Sequence, residues 1–260
     1  MLRPFLSVVI PAYNEEANIR AGALDKVARY LAAQGYPYEV LVVDDGSEDD
    51  TAALAEAFAQ QHVGFRVIRA SHRGKAPTVA TGMLAAEGQV VLFTDMDQAT
   101  PIGEAAKLLP WFDRGYDVVI GSRGTVRRNA PWWRKIMSRS QIVLRSLVLG
   151  FGQITDTQCG FKAFRGEAVE PILSRLSLYG ELADKEIRGA TVTSGFDVEM
   201  LFVARKLDYR IKEVLVEWDY QRTRRVNLLK DSARGLRDLL RIRLADLRGA
   251  YAVKKAEGEA

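Results

Sequence analysis

Apolar positions alternate between short unbroken runs and longer amphipathic stretches along the first half of the chain. The run Leu6-Ser7-Val8-Val9-Ile10 predicts a strand over 7–11, and the periodic stretch behind it a helix over 15–34. Residues 39–43 form a short, almost wholly apolar run, the mark of a parallel strand buried on both faces. An Ala-rich helix over 49–61 follows, with Ser47 or Asp49 able to cap it. Strands are predicted over 65–70, 89–94 and 116–121, with a helix over 76–87 entered through Arg73-Gly74-Lys75. Strand, helix, strand, helix in this order predicts right-handed crossovers and a doubly wound, mostly parallel α/β sheet with helices on both faces.

The second half is less regular. Residues 131–150 predict a basic helix that turns very apolar through Ile142, Val143, Leu144, Leu147, Val148 and Leu149. A turn and strand are expected over 154–165, a polar loop over 176–195, a helix over 196–206 and an alternating strand over 212–220. The C-terminal segment 227–250 predicts an amphipathic helix with Leu228, Leu229, Leu236, Leu239, Leu240 and Leu247 on one face. There is no internal repeat.

In a doubly wound sheet, ligands lie beyond the carboxyl ends of the strands. Asn14, Asp44, Asp45, Asp95, Asp97, Ser122 and Arg123 all follow strand ends. Asp95-Met96-Asp97 is the sharpest of these signals. Two carboxylates at i and i+2 after a strand can face one cavity, and hard oxygen ligands suit Mg²⁺ or Mn²⁺ holding a diphosphate. The spacing alone leaves a solvated turn as an equal alternative. Asp44-Asp45-Gly46-Ser47 can accept hydrogen bonds from a base or ribose, but a strand-to-helix turn explains the same residues. In Pro11-Ala12-Tyr13-Asn14-Glu15-Glu16, Tyr13 can stack on a base and Glu15 can bind it or a sugar, with a helix cap as competitor. Arg73-Gly74-Lys75 sets a lysine and backbone N–H groups at a helix start, which suits phosphate. No G-x-G-x-x-G is present, so nothing supports a nicotinamide or flavin site. His62 and His72 are isolated and are read as structural or surface residues. Cys159 is read as a small buried hydrophobe.

Composition narrows the picture a little. The 260 residues are 48% hydrophobic and 27% charged, an ordinary globular balance. One cysteine precludes an intrachain disulfide. No charged-apolar-cleavage pattern precedes the first strand, so no signal peptide is expected, and no apolar run is long enough to predict a transmembrane helix. Charge matters more for where it sits than for its total of +4. Residues 121–165 hold nine basic residues against the single acid Asp156, and residues 220–248 hold nine against three, so the remainder carries −10. Two basic patches on an otherwise acidic protein suit a phosphate-bearing substrate, an anionic membrane surface or nucleic acid; solvated helix faces are the plain alternative.

Taken together, the motifs are more specific than any one alone. Ser7-Val-Val-Ile-Pro-Ala-Tyr-Asn-Glu-Glu, Val42-Val-Asp-Asp-Gly-Ser47 and Asp95-Met-Asp97 resemble the nucleotide-sugar domain of family 2 glycosyltransferases. Gly121-Ser-Arg123, Asp156-Thr-Gln-Cys-Gly-Phe-Lys162 and Phe196-Asp-Val-Glu199 narrow the resemblance to dolichyl- and polyprenyl-phosphate glucosyltransferases, with polyprenyl-phosphate mannosyltransferases as relatives. The resemblance covers about residues 6–250. It implies a GT-A fold in one domain over 1–252, with a nucleotide-sugar half at 1–121, an acceptor half at 122–252 and a frayed tail at 253–260. It further implies a UDP- or GDP-sugar donor, Mg²⁺ or Mn²⁺, a polyprenyl-phosphate acceptor and inversion at the anomeric carbon.

By position, the resemblance assigns donor binding to Pro11, Tyr13, Glu15, Asp44, Asp45, Lys75, Asp95, Met96 and Asp97, with Asp95 and Asp97 as metal ligands. Arg123, Arg134 and Ser138 fall at acceptor-phosphate positions, and Arg134 and Ser138, four apart, would share one helix face. Asp97, Arg123, Arg134 and Asp197 are the candidate catalytic residues. If the acceptor is a hydroxyl, Asp197 is the expected base; if it is a phosphate, Asp197 orients the sugar or the arginines. Asp156 is a site residue or a turn former. Relatives often carry transmembrane helices, so membrane contact here is expected from 142–151 and 227–250, peripheral on the cytoplasmic face. Where mannosyltransferases carry a metal-binding Gln, this chain has Ala99, with Gln98 offset by one, which favours UDP-glucose as donor. GDP-mannose, a soluble hydroxyl acceptor, and a nucleic-acid-binding module without catalysis are the other readings.

Overall fold

The computed structural model describes residues 3–124, 144–152, 154–178, 194–219 and 228–252. Strands β1 (Leu6–Ala12), β2 (Tyr38–Asp44), β3 (Phe65–Arg69), β4 (Val90–Thr94), β5 (Val118–Ser122), β6 (Phe161–Arg165) and β7 (Ile211–Leu215) form one sheet in the order β3-β2-β1-β4-β6-β5-β7. β1 pairs in parallel with β2 and β4, β2 with β3, and β5 with β7, whereas β6 runs antiparallel to both β4 and β5. The sheet is thus mostly parallel, as the pattern predicts.

Alternation along the strands divides the core. Leu6, Val8 and Ile10 join one buried cluster with Val40, Val42, Leu92 and Val119. Val9, Val43, Val91, Phe93, Val118 and Ile120 join the other. Helices cover both faces: α1 (Glu16–Arg20), α2 (Ala23–Ala32), α3 (Thr51–Gln61), α4 (Lys75–Leu84), α5 (Ala105–Leu108) and α6 (Pro110–Asp113) in the first half. Further on come α7 (144–149), α8 (Gly166–Leu173), α9 (Ser194–Lys206) and α10 (Leu228–Leu247).

Several boundaries differ from the sequence reading for identifiable reasons. The single helix expected over 15–34 is broken at Gly22, whose φ of +81° lies in the left-handed region. The strand expected over 212–220 ends at Leu215. Most of the helix expected over 131–150 and of the loop expected over 176–195 lies outside the described residues. The one-faced α10 needs correction. Its core side is Leu239 and Ile242, 7% and 0% exposed, whereas Leu236, Leu240 and Leu247 are exposed with Leu244. Among the described residues no helix is long and apolar enough to cross a membrane.

Candidate active site

The order of the strands brings the candidate residues to one edge. The carboxyl ends of β2, β1, β4 and β5 deliver Asp44, Tyr13, Asp95 and Arg123 in turn. Because β6 is antiparallel, its beginning meets those ends: Phe161 pairs with Thr94, and Lys162 sits between Phe93 and Ile120.

At the centre, Lys75, at the start of α4, donates to Asp95 Oδ1. Burial alone would lower the lysine's pKa, but Asp95, Asp197 and Asp97 outweigh it and raise the ammonium above its ordinary value. Carboxylates from the end of β4 and from the first turn of α9 therefore act on the same cation electrostatically. Asp97 Oδ1 accepts the Ala99 N–H at 3.0 Å. Met96, between Asp95 and Asp97, is 2% exposed and packs in the core, as expected of a middle residue that points away. Gln98 is also taken up locally. Its Nε2 donates to Asp95 O at 2.9 Å and its Oε1 accepts the Ile102 N–H at 3.1 Å.

Lys162, not singled out from sequence, is 0% exposed. Its ammonium donates to Asp197 Oδ1 at 2.6 Å and to Cys159 O at 2.5 Å. A lone lysine between Phe161 and Ala163-Phe164 in a strand buried on both faces was the available signal, since a buried ammonium calls for a carboxylate.

On the β1–β2 side, Asp44 is 4% exposed; its Oδ2 accepts the Ser47 N–H, while its Oδ1 is buried without a partner. Asp45 is different. Its oxygens accept the N–H groups of Arg73 and Gly74, both at 2.8 Å, and meet His72 Nδ1 at 2.9 Å. Its carboxylate thus clamps the loop before α4. Tyr13 stacks on His72 with centroids 4.0 Å apart and planes 11° apart, so His72 is part of this wall. Glu15 receives Asn18 Nδ2 at 2.5 Å and its N–H donates to Thr51 Oγ1. Pro11 lies in β1, in register with Val43.

At the β5 end, Arg123 grips Asp156 with both Nε and Nη2 at 2.8 Å, and its backbone N–H adds a third bond to Oδ2. Its guanidinium also lies 5.6 Å from the Trp218 ring centroid. Burial would raise the Asp156 pKa, but Arg123 and then Lys162 hold it down at about 2. Arg145 on α7, also missed from sequence, donates to Thr157 Oγ1 and to Thr155 O. Burial first, and then the like charge of Arg123, lower its pKa. Arg134 and Ser138 lie outside the described residues. Cys159 is buried, as expected.

The Asp156 pair makes a pH prediction. A carboxylate depressed to about 2 contributes stability in full above its unfolded value of about 4, and loses it as pH falls through about 2. Acid unfolding followed by circular dichroism is expected to lose steepness between those two values in Asp156→Asn; an unaltered profile would remove the pair from the stability account.

Gly160 makes another. A methyl group here would lie 2.8 Å from Asp95 Cγ and closer still to its Oδ2. The clash falls on the Asp95 carboxylate and not on backbone, so Gly160→Ala is expected to melt near the wild-type temperature. Displacing Asp95 from Lys75 is expected to cost about tenfold in activity, since catalytic groups tolerate little misplacement.

The comparisons with known proteins meet this geometry. The family model "Glycosyl transferase family 2" matches residues 7–173, a span that includes Tyr13, Asp44, Lys75, Asp95 and Arg123. The chain belongs to glycosyl transferase family 2. As a glycosyltransferase of that family it is 32% identical over 268 residues to the dolichyl-phosphate beta-glucosyltransferase of Saccharomyces cerevisiae, covering 95% of this chain and 76% of that protein. It is 32% identical over 270 residues to the human protein of the same name, covering 96% and 78%. Among solved structures it resembles the mannosyltransferase PcManGT of Pyrobaculum calidifontis in complex with GDP-Man and Mn²⁺, with TM-score 0.59 and 22% identity over 95% of this chain and 65% of that one. It also resembles glucosyl-3-phosphoglycerate synthase of Mycobacterium tuberculosis in complex with Mn²⁺, UDP and glucosyl-3-phosphoglycerate, with TM-score 0.58 and 20% identity over 97% and 82%. These structural likenesses establish the GT-A-like fold of this family 2 member.

Proposed function

We propose that this glycosyltransferase moves glucose from UDP-glucose to a polyprenyl or dolichyl phosphate, with inversion at the anomeric carbon. The observation that carries the reading is the ion pair of Lys75 with Asp95, whose ammonium also feels the charges of Asp197 and Asp97; at the end of β2 a buried Asp44 oxygen has no hydrogen-bond partner. The names of the curated relatives supply the acceptor and the sugar.

The donor set fits a divalent cation. Asp95 and Asp97 offer hard oxygens only, and Mg²⁺ commonly takes one or two carboxylates with substrate phosphates completing its shell. Among the described residues no group of three or more His, Cys, Asp or Glu is placed to hold a metal, so the donor diphosphate would supply the remaining ligands. Asp95 and Asp97 would hold Mg²⁺ or Mn²⁺, which stabilises a leaving diphosphate as a Lewis acid.

The other residues follow from their surroundings. Asp44 Oδ1 accepts an N–H or O–H of the nucleoside, which would satisfy an otherwise costly buried acceptor. Tyr13, backed by His72, offers the base a flat wall, with Pro11 and Glu15 at the same strand end. Asp45 positions the loop that sets Lys75. Lys75 orients Asp95 and faces the diphosphate. At the acceptor side, a phosphate monoester has its second pKa near 6 and attacks largely as the dianion, with no strong base needed. Arg123, held by Asp156, presents its remaining N–H groups toward that phosphate, with Arg145 adding positive charge behind it and Arg134 and Ser138 assigned by position. Asp197 then orients the sugar. The acceptor is a membrane lipid, so the enzyme works peripherally at a bilayer surface.

A screen of UDP-glucose against GDP-mannose, each with polyprenyl phosphate or a soluble sugar acceptor, tests the reading. Glucose-labelled product partitioning into organic solvent is expected. Transfer from GDP-mannose alone would replace the donor assignment, and transfer to the soluble hydroxyl alone would overturn the acceptor.

A further inference from the structure

From Leu236 to Arg248, eight residues of α10 and its end are exposed before the closing glycine: Leu236, Arg237, Leu240, Arg241, Arg243, Leu244, Leu247 and Arg248. Four are leucine, four are arginine and none is acidic. The two acids of this stretch turn inward: the Asp238 and Asp246 side chains are 15% and 9% exposed, and Asp246 pairs with Lys206 at 2.6 Å and Arg243 at 2.8 Å. At 3.6 residues per turn the four leucines fall within an arc of about 80°, with arginines on both flanks. Leu236, Leu240, Leu244 and Leu247 are 42%, 50%, 50% and 69% exposed.

The apolar surface continues on a second element. Leu147 of α7 is 79% exposed and shares a groove of about 280 Å³ with Phe202, Arg205, Lys206 and Arg243. The same helix carries Arg145 toward Thr157 at the site, and Asp238 of α10 lies beside Gly195, two residues before Asp197.

We propose that the Leu–Arg face of α10, continued by Leu147, docks on the surface of an anionic lipid bilayer. The proposal rests on the membrane-lipid acceptor argued above and names the surface and the charge of the bilayer. An interfacial helix needs an apolar stripe to enter the acyl boundary and cations beside it to meet anionic headgroups, and this face has both. A second copy of the chain is a poor occupant, because symmetric pairing would set arginines against arginines with the acids turned away. Nucleic acid is a poor one too, because leucines occupy the middle of the arc where phosphates would lie.

The test is flotation of the full chain, without nucleotide sugar, on vesicles of phosphatidylcholine alone or mixed with phosphatidylserine. The protein is expected to favour the anionic vesicles by about tenfold or more, and salt is expected to weaken binding. The double variant Leu240→Glu, Leu244→Glu changes two half-exposed side chains and is expected to keep its melting temperature and its transfer to a short-chain, water-soluble acceptor phosphate. Its vesicle binding is expected to fall by about tenfold or more. Arg237→Gln with Arg248→Gln is expected to reduce the salt-sensitive part of the binding. Undiminished binding by the leucine variant, no wild-type binding to any vesicle, a wild-type dimer split by the leucine variant, or a preference for RNA over vesicles would each overturn the assignment. No vesicle binding by the wild-type chain, with intact glucose transfer in detergent, would sink this surface alone. Vesicle binding without transfer would sink the proposed reaction alone.

Discussion

Asp97→Asn is expected to lower sugar transfer by about a thousandfold while leaving the fold intact. Asn keeps a carbonyl oxygen where Asp97 Oδ1 accepts the Ala99 N–H, so the turn after β4 retains its bond. What disappears is a negative charge beside Asp95, at the place proposed for the cation and the diphosphate. Loss of that anchor removes several kcal/mol of charge stabilisation from the transition state, about three decades in rate. The measurement is a transfer rate across a Mn²⁺ titration, with a thermal melt as control. A variant that melts normally and transfers at the wild-type rate would remove Asp97 from the chemistry. One that recovers its rate at high Mn²⁺ would place the loss in metal binding.

The β1–β5 framework was legible because each strand is an apolar run closed by polar residues, and the strand-end rule then pointed to Asp44, Asp95 and Arg123 without a coordinate. What was not legible depends on pairing across the chain. Nothing near residue 161 announces that β6 inserts antiparallel between β4 and β5, yet that insertion brings Gly160 against Asp95 and Asp156 against Arg123. Asp44 and Asp45 are adjacent carboxylates with the same local pattern; only the loop 72–74 returning over Asp45 separates an open acceptor from a structural clamp. On α10 the leucine periodicity predicts the helix but puts its leucines on one face. The sequence carries two apolar arcs, and packing against α9 chooses the one holding Leu239 and Ile242.

The buried Lys162–Asp197 pair allows structural and functional roles to be separated in one cycle. Lys162→Met fills the space with an unbranched apolar side chain but strands Asp197 beside the core. Breaking one partner of a buried pair typically costs about 3–5 kcal/mol, so a clear drop in urea midpoint is expected along with a loss of activity. Adding Asp197→Asn removes the stranded charge and is expected to restore much of the stability, because a neutral pair is cheaper to bury than a lone ion. Activity is expected to stay low in the double variant, since the carboxylate that acts on Lys75 and orients the sugar is then gone. Recovery of both stability and transfer would make the pair a structural strut. Recovery of stability alone places Asp197 at the reaction, with Lys162 as its positioning residue. The split between KM and kcat sharpens the outcome: a carboxylate that binds the sugar equally in ground and transition states raises KM, whereas one that acts on the developing charge at the anomeric carbon lowers kcat.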